Sequence, residues 1–237
     1  SDGFTVGSNF DHNNNNATFV AWCWKAGGTA VSNTDGSITS SVSANAAYGF
    51  SVVSYTGNGT QNATVGHGLN AEPELLIIKN RSSAQQWDVY HKEVGYGKVL
   101  RLNSNATPAT ASDVFPSSNT SSVFKVGSSS SQNGSSNNMI AYCFANVPGY
   151  QRISKYTGTG ANGNVVVTGF KPKFVLLKHT GGAHGWYLFD GERGGAILEP
   201  NSSGAEYSST GCVFGNNGFT INGSGADING SGNTYIY

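Results

Sequence analysis

The sequence predicts an all-β protein built from tandem repeated antiparallel β-sandwich-like units, and three observations carry that expectation. Short runs rich in β-branched and aromatic residues alternate with clusters of Gly, Asn, Ser and Thr. No stretch combines helical periodicity with capping residues. A long phrase at residues 55–90 returns, altered, at residues 156–189. Tyr55 and Tyr156 stand 101 positions apart, as do Gly68 and Gly169, while Lys79 and Lys178 stand 99 apart, as do Trp87 and Trp186. Self-similarity at a fixed spacing marks a structural unit before it marks any chemistry.

The 237 residues suffice for two cores of about 100 residues each. Charged residues make up 11% and balance at 13 against 13, so no basic field exists to hold nucleic acid or an anionic membrane surface. No run of 18 apolar residues occurs, which excludes a membrane-inserted helix of the ordinary kind. Three cysteines are too few for a disulfide scaffold. The chain begins without Met and in the middle of a repeated phrase, so the expectation is a segment of a longer array.

Taken in order, residues 1–25 read as the closing hairpin of a preceding unit. Residues 3–25 match residues 123–145 at a constant offset of 120, with Phe4 on Phe124, Val6 on Val126, Ala21 on Ala141 and Cys23 on Cys143. A third version occupies residues 218–237. Alternation along the second strand places Val20, Trp22 and Trp24 on one face and Phe19, Ala21 and Cys23 on the other, so both faces are expected to be buried. Cys23 and Cys143 are expected to be free, buried and equivalent.

Residues 26–47 are an insertion that the second passage lacks. The turn signal Asn33-Thr34-Asp35-Gly36 between Val- and Ile-bearing runs suggests a projecting arm at 29–47 that reaches a neighbouring subunit. Residues 48–147 then read as a complete β unit and residues 148–237 as a second, nearly complete one. Pro73 and Pro172 precede the most apolar runs, 75–79 and 174–178, which are expected to be central strands.

Chemistry finds little support. A glycosidase needs two carboxylates flanking a cleft, and the candidates Glu72, Glu74, Asp88, Glu93, Asp190 and Glu192 do not recur as a pair in the two units. No catalytic residue is assigned. His12, His67, His91, His179 and His184 lack a metal-binding spacing, and the glycine-rich Asn222–Ile228 segment reads as a turn, so no metal and no cofactor are assigned. His179 and His184 bracket a Gly-Gly turn and suggest a solvated tip. Gly57-Asn58-Gly59 and Gly158-Thr159-Gly160 precede strands, so they lack the helix N-terminus of a phosphate loop. Aromatic rings beside polar amides are the surface that sugars use. Trp87 and Trp186 are expected in the core, whereas Tyr48, Tyr96, Tyr150 and Tyr207 lie in loop-like contexts and are the binding candidates.

The phrases FVAWCWKAGGTAVSNTDGSITSSVSANAAYGFSVVSYTGNG, ATVGHGLNAEPELLIIKN and NNMIAYCFANVPGYQRISKYTGTG resemble a repeat domain of large virion proteins of tailed bacteriophages, marine ones above all, described as tail-fibre or structural proteins. The resemblance spans nearly the whole chain. It implies an extracellular virion location, other virion proteins as partners, and host cell-surface glycan as ligand. It also implies a homo-oligomer, a trimer by the symmetry usual in such appendages. The resulting expectation is a non-catalytic tail-fibre-like segment. Its competitors are a polysaccharide-degrading tailspike enzyme and a capsid-surface decoration protein.

Overall fold

The computed structural model describes residues 3–237; Ser1 and Asp2, where the expected first segment 1–25 begins, lie outside the described residues. The all-β expectation holds, with 35% strand and 5% helix in several antiparallel sheets.

The elements run in chain order. The first is a one-turn helix α1 (Phe10–Asn13). There follow β1 (Val31–Asn33), β2 (Ser40–Asn45), β3 (Phe50–Thr56), β4 (Ala63–Gly66), β5 (Leu75–Asn80) and β6 (Trp87–His91). Next come β7 (Lys98–Arg101), β8 (Ala109–Thr110), β9 (Val123–Val126), a second one-turn helix α2 (Ser130–Asn133) and β10 (Asn138–Phe144). The remainder comprises β11 (Lys155–Thr157), β12 (Asn164–Val167), β13 (Phe174–His179), β14 (Trp186–Asp190), β15 (Cys212–Gly215), β16 (Gly218–Ile221) and β17 (Thr234–Ile236).

One strand order recurs. The large sheet runs β1-β2-β3-β10-β5-β6-β7-β8, and the second runs β11-β17-β13-β14, so β3-β10-β5-β6 corresponds to β11-β17-β13-β14. Opposite the first sheet lies the β4-β9 pair, and opposite the second the three-stranded β12-β16-β15 sheet. The apolar runs 75–79 and 174–178 do form inner strands, each flanked on both sides. Alternation in β5 sends Leu76 and Ile78 into the first core, with Val53, Tyr55, Phe124, Val126, Met139 and Cys143. The second core gathers Tyr156, Leu177, Phe189, Phe219, Ile221 and Tyr235.

The thrice-repeated phrase is not a hairpin. Strand β9 pairs with β4 and β10 pairs with β3 and β5, and likewise β16 pairs with β12 and β15 while β17 pairs with β11 and β13. The polar loop between the two strands is too long for a tight turn, and it carries the chain from one layer of the sandwich to the other. The copies at 123–145 and 218–237 are therefore closing segments that each supply a strand to both layers.

Two further expectations are corrected. The insertion at 29–47 does not project: β2 pairs with β3 along its whole length, Ile38 bridges Val65, and Ile38, Ser40 and Val42 are buried. An edge strand with bare N–H and C=O groups is more stable when covered, and the insertion covers that of β3. Residues 17–24, expected to be a strand buried on both faces, pair with no strand among the described residues, and Phe19, Ala21 and Cys23 are exposed. Their counterparts in β10 are held between β3 and β5 and covered by the β4-β9 layer; among the described residues no equivalent strands meet residues 17–24.

Candidate functional site

The outer faces of the two main sheets pack on each other through Val89, Leu100, Trp186 and Ile236, with Leu75, Ile77 and Leu176 beside them. Polar contacts cross the same seam. Trp186 Nε1 donates to Arg101 O at 2.9 Å, Lys155 pairs with Glu93 at 3.1 Å, and His91 Nε2 meets Tyr237 O at 3.2 Å. His91 Nδ1 accepts from Glu93 N, so the ring proton resides on Nε2, and burial lowers its pKa to about 4 against the bond to Tyr237 O. His67 is wired alike, accepting from Leu69 N and donating to Thr120 O, and burial lowers its pKa too.

One end of the seam opens into a cavity of about 580 Å³ that residues 21–24 partly roof. Trp24 packs at 5.2 Å, edge to face, against Phe174 and also meets Phe50 and Phe144. Trp22 lies 6.0 Å from Phe174, donates from Nε1 to Asp190 Oδ2 at 3.1 Å, and has the Arg193 guanidinium over its ring. Burial pushes the Asp190 pKa up, but hydrogen bonds from Arg193 and Trp22 more than offset this and hold it below the usual range. Phe170, Tyr150 and Tyr237 add further rings, and Gln151, Arg152, Lys171 and Lys173 add the polar groups. Among the described residues, no Asp or Glu lines the cavity.

Of the four tyrosine candidates, the structure brings two together. Tyr48 and Tyr150 are exposed with ring centroids 4.8 Å apart, and Tyr150 borders the cavity. Tyr96 is not a surface residue: it is half-buried, stacks on Tyr90, donates to Glu72 at 2.8 Å and accepts from Asn119 N. Tyr207 is exposed and donates to Glu199 at 2.9 Å, away from the cavity lining. The binding rings Trp22, Trp24 and Phe174 carry no local signal of that role: alternation places Trp22 and Trp24 on one face, but that the face meets the seam is a long-range fact.

The carboxylates are dispersed in structural contacts. Glu74 pairs with Lys92, Glu93 with Lys155 and Asp190 with Arg193, while buried Asp88 accepts from Ser131. His179 is buried, stacks on Tyr235 and lies 4.9 Å from His184, so the expected solvated tip is corrected at that residue. His184 Nδ1 contacts Asp227 at 2.5 Å, which places the glycine-rich 222–228 segment against the turn. Among the described residues, no group of three or more His, Cys, Asp or Glu could hold a metal ion, and no helix is long and apolar enough to cross a membrane.

The Gly-x-Gly turns have a structural task. Asn133 Nδ2 donates to Thr60 O and Gly127 O while Asn58 N donates to its Oδ1; Asn229 does the same with Ala161 O, Gly223 O and Thr159 N. A Cβ on Gly57 would stand 2.4 Å from Gly134 O, and one on Gly158 would stand 2.2 Å from Gly230 O. Only glycine allows so close an approach of the closing segment. No curated protein and no solved structure matches the chain. Residues 1–237 match one family throughout, and on that match the chain belongs to the family described as Domain of unknown function (DUF7483).

Proposed function

We propose that this chain is a non-catalytic carbohydrate-binding β module that serves as a structural and adhesive segment of a phage virion appendage. The seam cavity supports the binding part. Its volume of about 580 Å³ suits a small oligosaccharide, and its rings offer flat apolar faces for pyranose C–H groups. Gln151, Arg152, Lys171 and Lys173 supply hydrogen-bond donors for hydroxyls and acidic substituents. The exposed Tyr48–Tyr150 pair extends that surface outward. Among the described residues the lining carries no carboxylate, which favours adhesion over glycoside cleavage, a reaction that requires two of them. The virion setting and the trimer rest on the sequence resemblance.

The test is binding to an array of bacterial surface glycans, compared with Tyr150→Ala and Phe170→Ala. The expected result is retention of at least one glycan that both variants weaken by about tenfold or more, the scale of a lost stacking contact. A chain that retains no glycan, or whose retention neither variant alters, refutes the binding reading. Imaging of intact particles tests the virion setting, and a copy standing alone rather than in a cyclic assembly refutes the trimer.

A further inference from the structure

Three segments of this chain carry one lock, and only two of them are closed. Asn9 caps α1 as Ser129 caps α2, 120 positions later. Asn13 Nδ2 donates to Gly7 O at 2.6 Å, as Asn133 Nδ2 does to Gly127 O at 2.8 Å and Asn229 Nδ2 to Gly223 O at 2.7 Å. Left-handed residues follow at the same place, Asn16 at φ 60°, Ser136 at 64° and Gly232 at 75°. In the two seated copies the asparagine then grips a Gly-x-Gly turn. Among the described residues no such turn meets Asn13.

Burial shows the same vacancy. Phe124, Val126, Met139 and Cys143 lie in a core, whereas their counterparts Phe4, Val6, Phe19 and Cys23 are exposed, Phe4 at 65% against 0% for Phe124. Apolar side chains repeated at core positions and left in water mark an interaction surface.

The kind of partner can be read from the differences between the copies. Gly3-Phe4-Thr5 is identical to Gly218-Phe219-Thr220, and Asp11 takes the place of Asp227, which lies against His184 and Tyr187. In the other copy the place belongs to Ser131, which donates to buried Asp88. Asp11 there would set one carboxylate against another in a buried site.

We propose that residues 3–24 are a preassembled closing segment that seats in a β unit built like residues 148–217 and lacking its own closing segment. Such a unit offers a Gly-x-Gly turn to Asn13, a His or Tyr to Asp11, and two strand edges equivalent to β11 and β13 to residues 18–24. The association is strand addition, with main-chain bonds supplying affinity and alternate side chains supplying register. Trp22 and Trp24 keep their contacts at the seam, because they lie on the outer face that Ile236 occupies in the seated copy. The proposal is independent of any ligand in the cavity.

The test is transplantation. In the intact chain, residues 218–235 are exchanged for the sequence of residues 3–19. A cooperatively folded protein is expected, with Tm lowered by no more than about 10 °C, and Asn13→Ala within the transplanted segment is expected to lower Tm further. A chain ending at Asn217 provides the second readout. Its empty unit should accept residues 3–24 of another molecule, giving concentration-dependent assembly by light scattering. Excess peptide of residues 218–237 should reverse the assembly, and deletion of residues 3–24 should abolish it. A chimera without a cooperative transition overturns the proposal, as does assembly that survives the deletion. If the shortened chain does not fold, the chimera alone decides.

Discussion

Lys178 stands directly across the β13–β14 ladder from Trp186, as Lys79 stands across β5–β6 from Trp87. The repeated pairs have different surroundings. Lys79 is half-buried and donates to Gln85 O, whereas Lys178 is fully buried at the seam and donates to His179 O at 2.7 Å and Asn105 O at 3.3 Å.

Burial of Lys178 lowers its pKa from 10.5 to about 8. Above pH 8 the folded amine has released its proton while the unfolded one retains it, so the unfolded state binds more protons and stability rises with pH. Urea midpoints for the protein minus those for Lys178→Met should therefore climb between pH 7.5 and 9. A flat difference would show that the amine is not desolvated. Burial also raises Cys143 and Cys212 to about 12, which works in the opposite direction once unfolded thiols ionise, and the subtraction removes that contribution because both proteins carry these cysteines.

Acid should destabilise the protein, at the seam through His91 and within the first unit through His67. His91 and His67 have pKa values below 6.5, so on acidification the unfolded imidazoles take up protons first and stability falls as pH drops from about 6.5 toward 4. Protonation also removes the Nδ1 acceptor that holds Glu93 N and Leu69 N. His91→Gln is expected to reduce the pH slope between 6.5 and 4.5 in urea titrations. An unchanged slope would exclude His91 as a source.

The asparagine lock predicts an asymmetry. Asn133→Ala and Asn229→Ala each leave buried backbone groups unsatisfied and should cost about 2 kcal/mol or more. Asn13→Ala in the isolated chain removes one exposed bond and should change stability by less than about 0.5 kcal/mol. Chemical denaturation of the three variants checks the order, and equal losses would contradict it.

Thiol chemistry distinguishes the repeats as well. Cys23 is exposed, while Cys143 and Cys212 are buried with raised pKa values. A thiol reagent at pH 8 should modify Cys23 rapidly in the native protein and all three cysteines only in denaturant. Slow modification of Cys23 would mean that residues 17–24 are covered in solution.

The sequence alone determined what depends on local spacing. Near-continuous apolar runs after Pro73 and Pro172 marked the inner strands at 75–79 and 174–178, the fixed offsets exposed the repeat, and the missing helix after Gly57-Asn58-Gly59 excluded a phosphate loop. Tertiary structure decided everything that depends on which strand lies beside which. Period-two alternation says that a residue has two faces but not what covers either one, so Cys23 and Cys143 read alike and only one is buried. Hairpin and layer-crossing segment share a strand-loop-strand signature, and pairing of β9 with β4 and of β10 with β3 and β5 separates them. A turn signal within residues 29–47 marks a reversal without saying where it folds, and the open edge of β3 settled that. The seam brings Trp22 and Trp24 to Phe174 across some 150 residues, a contact set by packing of two sheets and not by any local run.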